Sequence, residues 1–265
     1  MSAFRPARSV LSARRHRSTL LAGAATIALV GASPVADEIA AWRLSRTLAP
    51  AGTVEAVSGA LAGPLTVKGL HLSASGATLS VDRISLPGHG FLGTSALAAG
   101  DVTLEGITVA FDSLTIRIPR LLVSGTDLDE ATIARIFDKT AAQPLSQRLA
   151  ALTASTVRIP ELTMEQSLGG VEQTVTYHDV EMRDIKAGVI SAIAIPRVTM
   201  RIDGKKEELS TGTMGPITVD DFDTVQVARV YGEKAGPDDT EPKRLYGAFS
   251  IENFTIRDAK GNEAS

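Results

Sequence analysis

Four histidines, 30 acidic residues and no cysteine set the terms on which this 265-residue chain could do chemistry. Without cysteine there are no disulfides, zinc-thiolate sites or thiol nucleophiles. His16 sits in a basic N-terminal stretch, and His71, His89 and His178 lie too far apart to share a local ligand motif. Each reads as a satisfied or solvent-facing side chain. Asp220, Asp221 and Asp223 offer oxygen ligands to a hard cation, but the segment lacks the glycine turn and closing bidentate acid of a calcium loop, and reads as the acidic start of a helix. Glu181 with Asp184, and Glu207 with Glu208, would need a cleft and shifted pKa values to act as general acid and base. Solvated strand ends explain them more simply. No Gly-x-Ser-x-Gly elbow or Ser-x-x-Lys pair occurs. Gly88-His89-Gly90 and Gly169-Gly170 lack the lysine and the strand-to-helix setting that cradle a phosphate, so they read as turns. The expectation is a protein that is not an enzyme, with no catalytic residue, cofactor or metal ligand.

The elements around these residues are more informative. An apolar-x-apolar-x-x-apolar-x-apolar unit recurs at Leu65/Val67/Leu70/Leu72, Leu79/Val81/Ile84/Leu86, Val102/Leu104/Ile107/Val109 and Ile116/Ile118/Leu121/Val123. It returns at Val157/Ile159/Leu162/Met164, Ile193/Ile195/Val198/Met200 and Phe249/Ile251/Phe254/Ile256. At about 100° per residue a helix would scatter these positions around its circumference, so the units are strands. Side chains alternate between the faces of a strand, and the extra central residue would send the two halves to opposite faces. A β-bulge at the central pair would return them to one side and bend the strand. Pro119-Arg120, Pro160-Glu161, Pro196-Arg197, Lys68-Gly69 and Glu105-Gly106 at that pair suit the irregularity.

A longer repeat overlies the first. Asp127-Leu128-Asp129 precedes Ile133, Ile136 and Phe137, and Asp221-Phe222-Asp223 precedes Val227, Val230 and Tyr231 at the same spacing, which predicts two short helices with acidic starts. Further helices are predicted over 142–152 and over 35–48, the latter with Trp42. Gly63-Pro64-Leu65-Thr66-Val67 and Gly215-Pro216-Ile217-Thr218-Val219 also match, suggesting two related halves. The expected organisation is an N-terminal segment (1–36), a first β-rich half ending in a short helix (37–138) and a second with a short helix and polar tail (139–265). Residues 232–243 read as an exposed loop. The fold class is mainly β (α+β): a curved antiparallel sheet of repeated bulged strands with a few short helices.

Arg5, Arg8, Arg14, Arg15 and Arg17 precede an apolar run over 19–32, in the order of a secretory signal's charged and apolar regions. Cleavage after Ala32 fits the small residues there. Uncleaved, residues 18–36 approach the roughly 20 residues that cross a bilayer. Either way the N-terminal charge directs the body of the protein outward, to the periplasm, secreted or tethered to the inner membrane. A net charge of −3 gives no cationic excess for nucleic acid, and 4% aromatics offers few stacking platforms for single strands. With 44% apolar residues the chain can build a core.

Residues Val57-Ser58-Gly59-Ala60-Leu61-Ala62-Gly63-Pro64-Leu65-Thr66-Val67-Lys68-Gly69-Leu70-His71-Leu72 resemble the opening of bacterial AsmA and TamB family proteins, where a similar strand pair follows an N-terminal signal anchor. The resemblance covers residues 57–86 and elsewhere only the strand rhythm, in a chain much shorter than those proteins. It implies a curved, groove-like sheet in the cell envelope that helps move lipids or assemble outer-membrane components. The expected partner is lipid, with inner-membrane association through the N-terminus and no nucleic acid. The residues expected to face lipid are Leu65, Val67, Val81, Ile84, Ile116, Ile118, Ile159, Ile193 and Ile195. A closed core, with the helices over 127–137 and 221–231 covering the same apolar face, serves a secreted or surface structural or adhesion module equally well.

Overall fold

The computed structural model describes residues 46, 52–59, 65–74, 77–86, 101–110, 113–126, 142–204, 209–232, 243–258 and 260–264. The strands are β1 (Gly52–Gly59), β2 (Leu65–Ala74), β3 (Ala77–Leu86), β4 (Val102–Ala110), β5 (Leu114–Ser124), β6 (Ala154–Leu168) and β7 (Val171–Lys186). They continue with β8 (Val189–Ile195), β9 (Arg197–Asp203), β10 (Leu209–Met214), β11 (Ile217–Asp223), β12 (Phe249–Ile251), β13 (Thr255–Arg257) and β14 (Glu263–Ala264). Helix α1 (Leu145–Leu149) precedes β6, and α2 (Thr224–Gly232) follows β11. Among the described residues the strands form one mostly sequential antiparallel sheet.

Past β7 the strand path divides on paper, because β7 pairs with both β8 and β9. The register shows otherwise. Glu181 opposite Ala194 and His178 opposite Arg197 belong to one alignment, so β8 and β9 are one long strand interrupted at Pro196, which has no N–H to give a ladder. In the same way β10 and β11 are one strand broken at Gly215-Pro216, and β12 with β13 one strand broken at residues 252–254. The first half behaves alike: β2 and β3 pair on both sides of Gly69 and Asp82 but not at them, and β3 and β4 likewise around Asp82 and Gly106. A line of interruptions therefore crosses the sheet at the central pair of each repeat.

This corrects the expected bulge. A bulge sets two residues of one strand against one of its neighbour. Here the pairing stays one to one across the interruption, because each strand carries its extra residue at the same level. The switch in facing is made locally, and five of the interrupted positions carry positive φ: Gly69 at 61°, Gly106 at 63°, Asp179 at 55°, Gly215 at 123° and Asn253 at 52°. Glycine adopts that conformation without steric cost.

The helices also differ from expectation. Asp221, Phe222 and Asp223 belong to β11, since Phe222 pairs with Ile190 and Asp223 with Val189, and α2 starts only at Thr224. The acidic start is real at one residue, where Asp223 Oδ1 accepts the Gln226 N–H at 2.9 Å. Of 142–152 only Leu145–Leu149 is helical, preceded by extended Pro144. The helices expected over 35–48, apart from helical Arg46, and over 127–137 lie outside the described residues. β5 and β6, on either side of the expected boundary between halves, pair within the one sheet.

Candidate functional site: one apolar face

Residues directly opposite each other in a ladder share a face, so the register turns the repeat into transverse rows. One row runs Leu72, Leu79, Val109, Ile116, Met164, Val175 and Met200 from β2 to β9. A second, across the line of interruptions, runs Val67, Ile84, Leu104 and Leu121, then Ile159 with Val180, then Ile195, Ile217 and Ile251. Between them lies Leu70, Val81, Ile107 and Ile118, continued by Leu162, Tyr177, Val198 and Met214. A fourth follows Val102, Val123, Val157, Met182, Ile193, Val219 and Phe249.

The rows on both sides of the interruption occupy one face. Val67, Leu70, Leu72, Val81, Leu86, Val102 and Ile107 form a single buried cluster, with Val54, Leu79, Ile84, Leu104, Ile118 and Leu121 packed against it. Val67 and Leu70, three residues apart, would part company in a regular strand. Further along, Ile159 is 3% exposed and Val198 1%. At the β7–β8 end a second cluster gathers Ala154, Ile185 and Ile190 with Leu152, Met182, Ile193 and Phe222. Helix α2 is tied to that end, where the Thr224 N–H and hydroxyl both donate to the Gly188 carbonyl at 3.1 and 2.6 Å. Its main packing is against α1.

Positions between the rows are mostly polar, Leu122 and Ala194 being apolar exceptions. Arg83 pairs with Glu105 at 3.5 Å, Arg117 with Glu165 at 3.2 Å and Arg158 with Glu181 at 3.3 Å, each across neighbouring strands. Thr163 and Thr176 share a hydrogen bond at 3.3 Å, and His178 Nε2 meets Thr199 Oγ1 at 3.2 Å. The guanidinium of Arg183 donating to Glu181 holds that carboxyl below the usual carboxylate range, with Arg158 adding to it. On the apolar side, burial pushes the Tyr177 phenol up.

The nine residues expected to face lipid all fall on these rows, although they belong to different ones: Ile116 to the first, Val67, Ile84, Ile159 and Ile195 to the second, Val81 and Ile118 to the third, Ile193 to the fourth. Leu65 continues the fourth, opposite Leu86. Three further copies of the repeat escape a search for uniformly apolar quartets. β7 carries Val175, Tyr177, Val180 and Met182 around His178-Asp179; the β10–β11 strand carries Gly212, Met214, Ile217 and Val219 around Gly215-Pro216; β1 carries Gly52, Val54, Val57 and Gly59. Admitting glycine and tyrosine at the apolar positions finds all three.

The candidate chemical residues stay dispersed. His71 is exposed, 3.7 Å from Glu55, and His89 lies outside the described residues. Among the described residues no three His, Asp or Glu side chains come together as a metal site. A recess at one end of the β6–β7 hairpin, lined by Ser113, Glu165, Ser167, Glu172 and Gln173, is polar and open. No described helix is long and apolar enough to cross a membrane, and the apolar run over 19–32 lies outside the described residues. The class these features define is an open antiparallel sheet with one continuous apolar face. Comparison with family models, with curated proteins and with solved structures finds no match.

Proposed function

We propose that the chain is a non-enzymatic envelope protein that holds lipid acyl chains along its apolar face, in the periplasm and close to the inner membrane. The observation that supports this best is the continuity of the apolar rows across the sheet, at right angles to the strands. A globular core needs a cluster of apolar side chains but no track. A carrier needs the track: removing about 14 methylenes from water is worth roughly 11 kcal/mol at about 0.8 kcal/mol per methylene, and that gain must be available at each position the chain occupies.

The line of interruptions gives the track its shape. Bending each strand at the same level turns a flat face into a trough, with two rows on either wing, and side chains of the wings then shelter one another. This accounts for Val67, Val81, Ile159 and Val198 being buried while α2 stays at the β7–β8 end. Curvature of this kind agrees with the AsmA and TamB resemblance over residues 57–86, and the basic and apolar N-terminal segment supplies the tether.

Extraction of the full chain from a bacterial envelope, with bound lipid measured by mass spectrometry, tests the proposal. The native chain is expected to carry phospholipid near one mole per mole, and Ile118→Asp and Ile195→Asp variants that keep their β-sheet circular dichroism are expected to have lost it. A folded, lipid-free native chain would return the face to the role of a core in a structural or adhesion module.

A further inference from the structure

The rows do not end in a buried edge. β12 pairs with β11 alone among the described strands, and on its level Phe249 is 52%, Ile251 45% and Phe254 43% exposed. The backbone is poised as well. Asp220 N–H donates to the Ala248 carbonyl and Glu252 N–H to the Pro216 carbonyl, so alternate residues turn toward β11 and Phe249 and Ile251 turn their N–H and C=O groups outward. An edge of this kind templates another strand.

We infer that the occupant is the β1 edge of a second copy of this chain, docked head to tail. The path from β12 through β11, β8, β7, β6, β5, β4, β3 and β2 to β1 is antiparallel throughout and contains ten strands. An even number has two consequences. β1 and β12 run in opposite directions, so a copy translated along the sheet presents β1 antiparallel to β12. The alternation of bonded and non-bonded pairs also closes in phase: followed strand by strand, it leaves Val57 and Gly59 turned outward on β1, as Phe249 and Ile251 are on β12. With the line of interruptions held continuous, Phe249 stands opposite Gly59 and Ile251 opposite Val57. The exposed phenylalanine ring at 249 meets the position that carries no side chain. Beyond Phe254 the edge is taken by β14, where Ile256 pairs with Ala264, so docking spans the level of β12 alone. Such a contact is heterologous and repeats from copy to copy, and each step lengthens the apolar rows.

The chain has no cysteine, which permits a direct test. Ser58 and Ser250 are both exposed and stand opposite each other in the docked register as a non-bonded pair, with Cα atoms about 4.5 Å apart, inside disulfide range. Full-length Ser58→Cys and Ser250→Cys chains are mixed, oxidised and resolved without reductant. The mixture is expected to give at least ten times more linked dimer than either variant alone, and Ile251→Lys in the Ser250→Cys chain is expected to abolish it while circular dichroism stays unchanged. No linked dimer in the mixture would overturn the proposal. Equal linking by Ser250→Cys alone would also overturn it, in favour of a two-fold contact between β12 edges. Lipid content plays no part in this readout, so its outcome is separate from that of the lipid proposal.

Discussion

The Asp82 carboxylate on β3 occupies the space that a methyl group on Gly106 of β4 would need, and the Glu55 side chain stands in the same relation to Gly69. Both glycines hold positive φ at the line where the strands change facing. An L side chain there is strained by its backbone and blocked by an acid on the neighbouring strand. Gly106→Ala is expected to cost about 1–3 kcal/mol, read as a lower urea midpoint at unchanged slope. Gly169→Ala is the control: its φ of 60° is similar, but nothing stands within 4 Å, so its cost is expected at the low end, about 1 kcal/mol.

The rows differ in burial along their length, and stability should follow. Ile159 is 3% exposed and Ile251, on the same row at the sheet edge, 45%. Ile159→Ala is expected to destabilise by about 2–5 kcal/mol through lost burial and a cavity. Ile251→Ala is expected to stay within about 0.5 kcal/mol. Paired urea titrations decide between this gradient and a uniform face.

Glu181 sits between Arg158 and Arg183, which hold its carboxyl below the usual range. A carboxyl whose folded value lies below its unfolded one adds stability above the unfolded value, and loses it as pH falls through the folded one. Glu181→Gln is therefore expected to destabilise at neutral pH and to flatten the acid limb of the stability curve, with no effect once both states are protonated. Thermal melts across the acid range check the sign, and added salt is expected to shrink the difference because the site is at the surface.

Tyr177 behaves in the opposite sense. Burial raises its phenol, so its contribution is complete below the unfolded value and is lost as pH rises through the folded one. Its phenol is expected to ionise at higher pH than a free tyrosine in an ultraviolet titration of the folded chain. Tyr177→Phe is expected to remove that late step.

Some of this is legible in the sequence alone. The unit apolar-x-apolar-x-x-apolar-x-apolar excludes a helix and names the residues of one face, because a strand's side-chain period of two is a local property of the backbone. Even the interruption is written locally, in Gly69, Gly106, Pro160 and Pro196. The helix starts were less legible. Asp221 and Phe222 look like the approach to a helix, yet pairing between Phe222 and Ile190 draws them into β11, a competition that local propensity does not contain.

What the sequence by itself determined is the set of apolar positions, the level of the irregularity in each strand and the absence of thiol chemistry. What only the tertiary structure decided is how the copies align. Because every strand bears its extra residue at the same level, long-range pairing could keep one register through the interruptions and needed no two-against-one bulge. That shared register turns separate quartets into rows, brings Val67 and Leu70 into one cluster, and leaves Phe249 and Ile251 at an open edge. Register is a relation between distant segments, set by which backbones meet, and no window along the chain holds it.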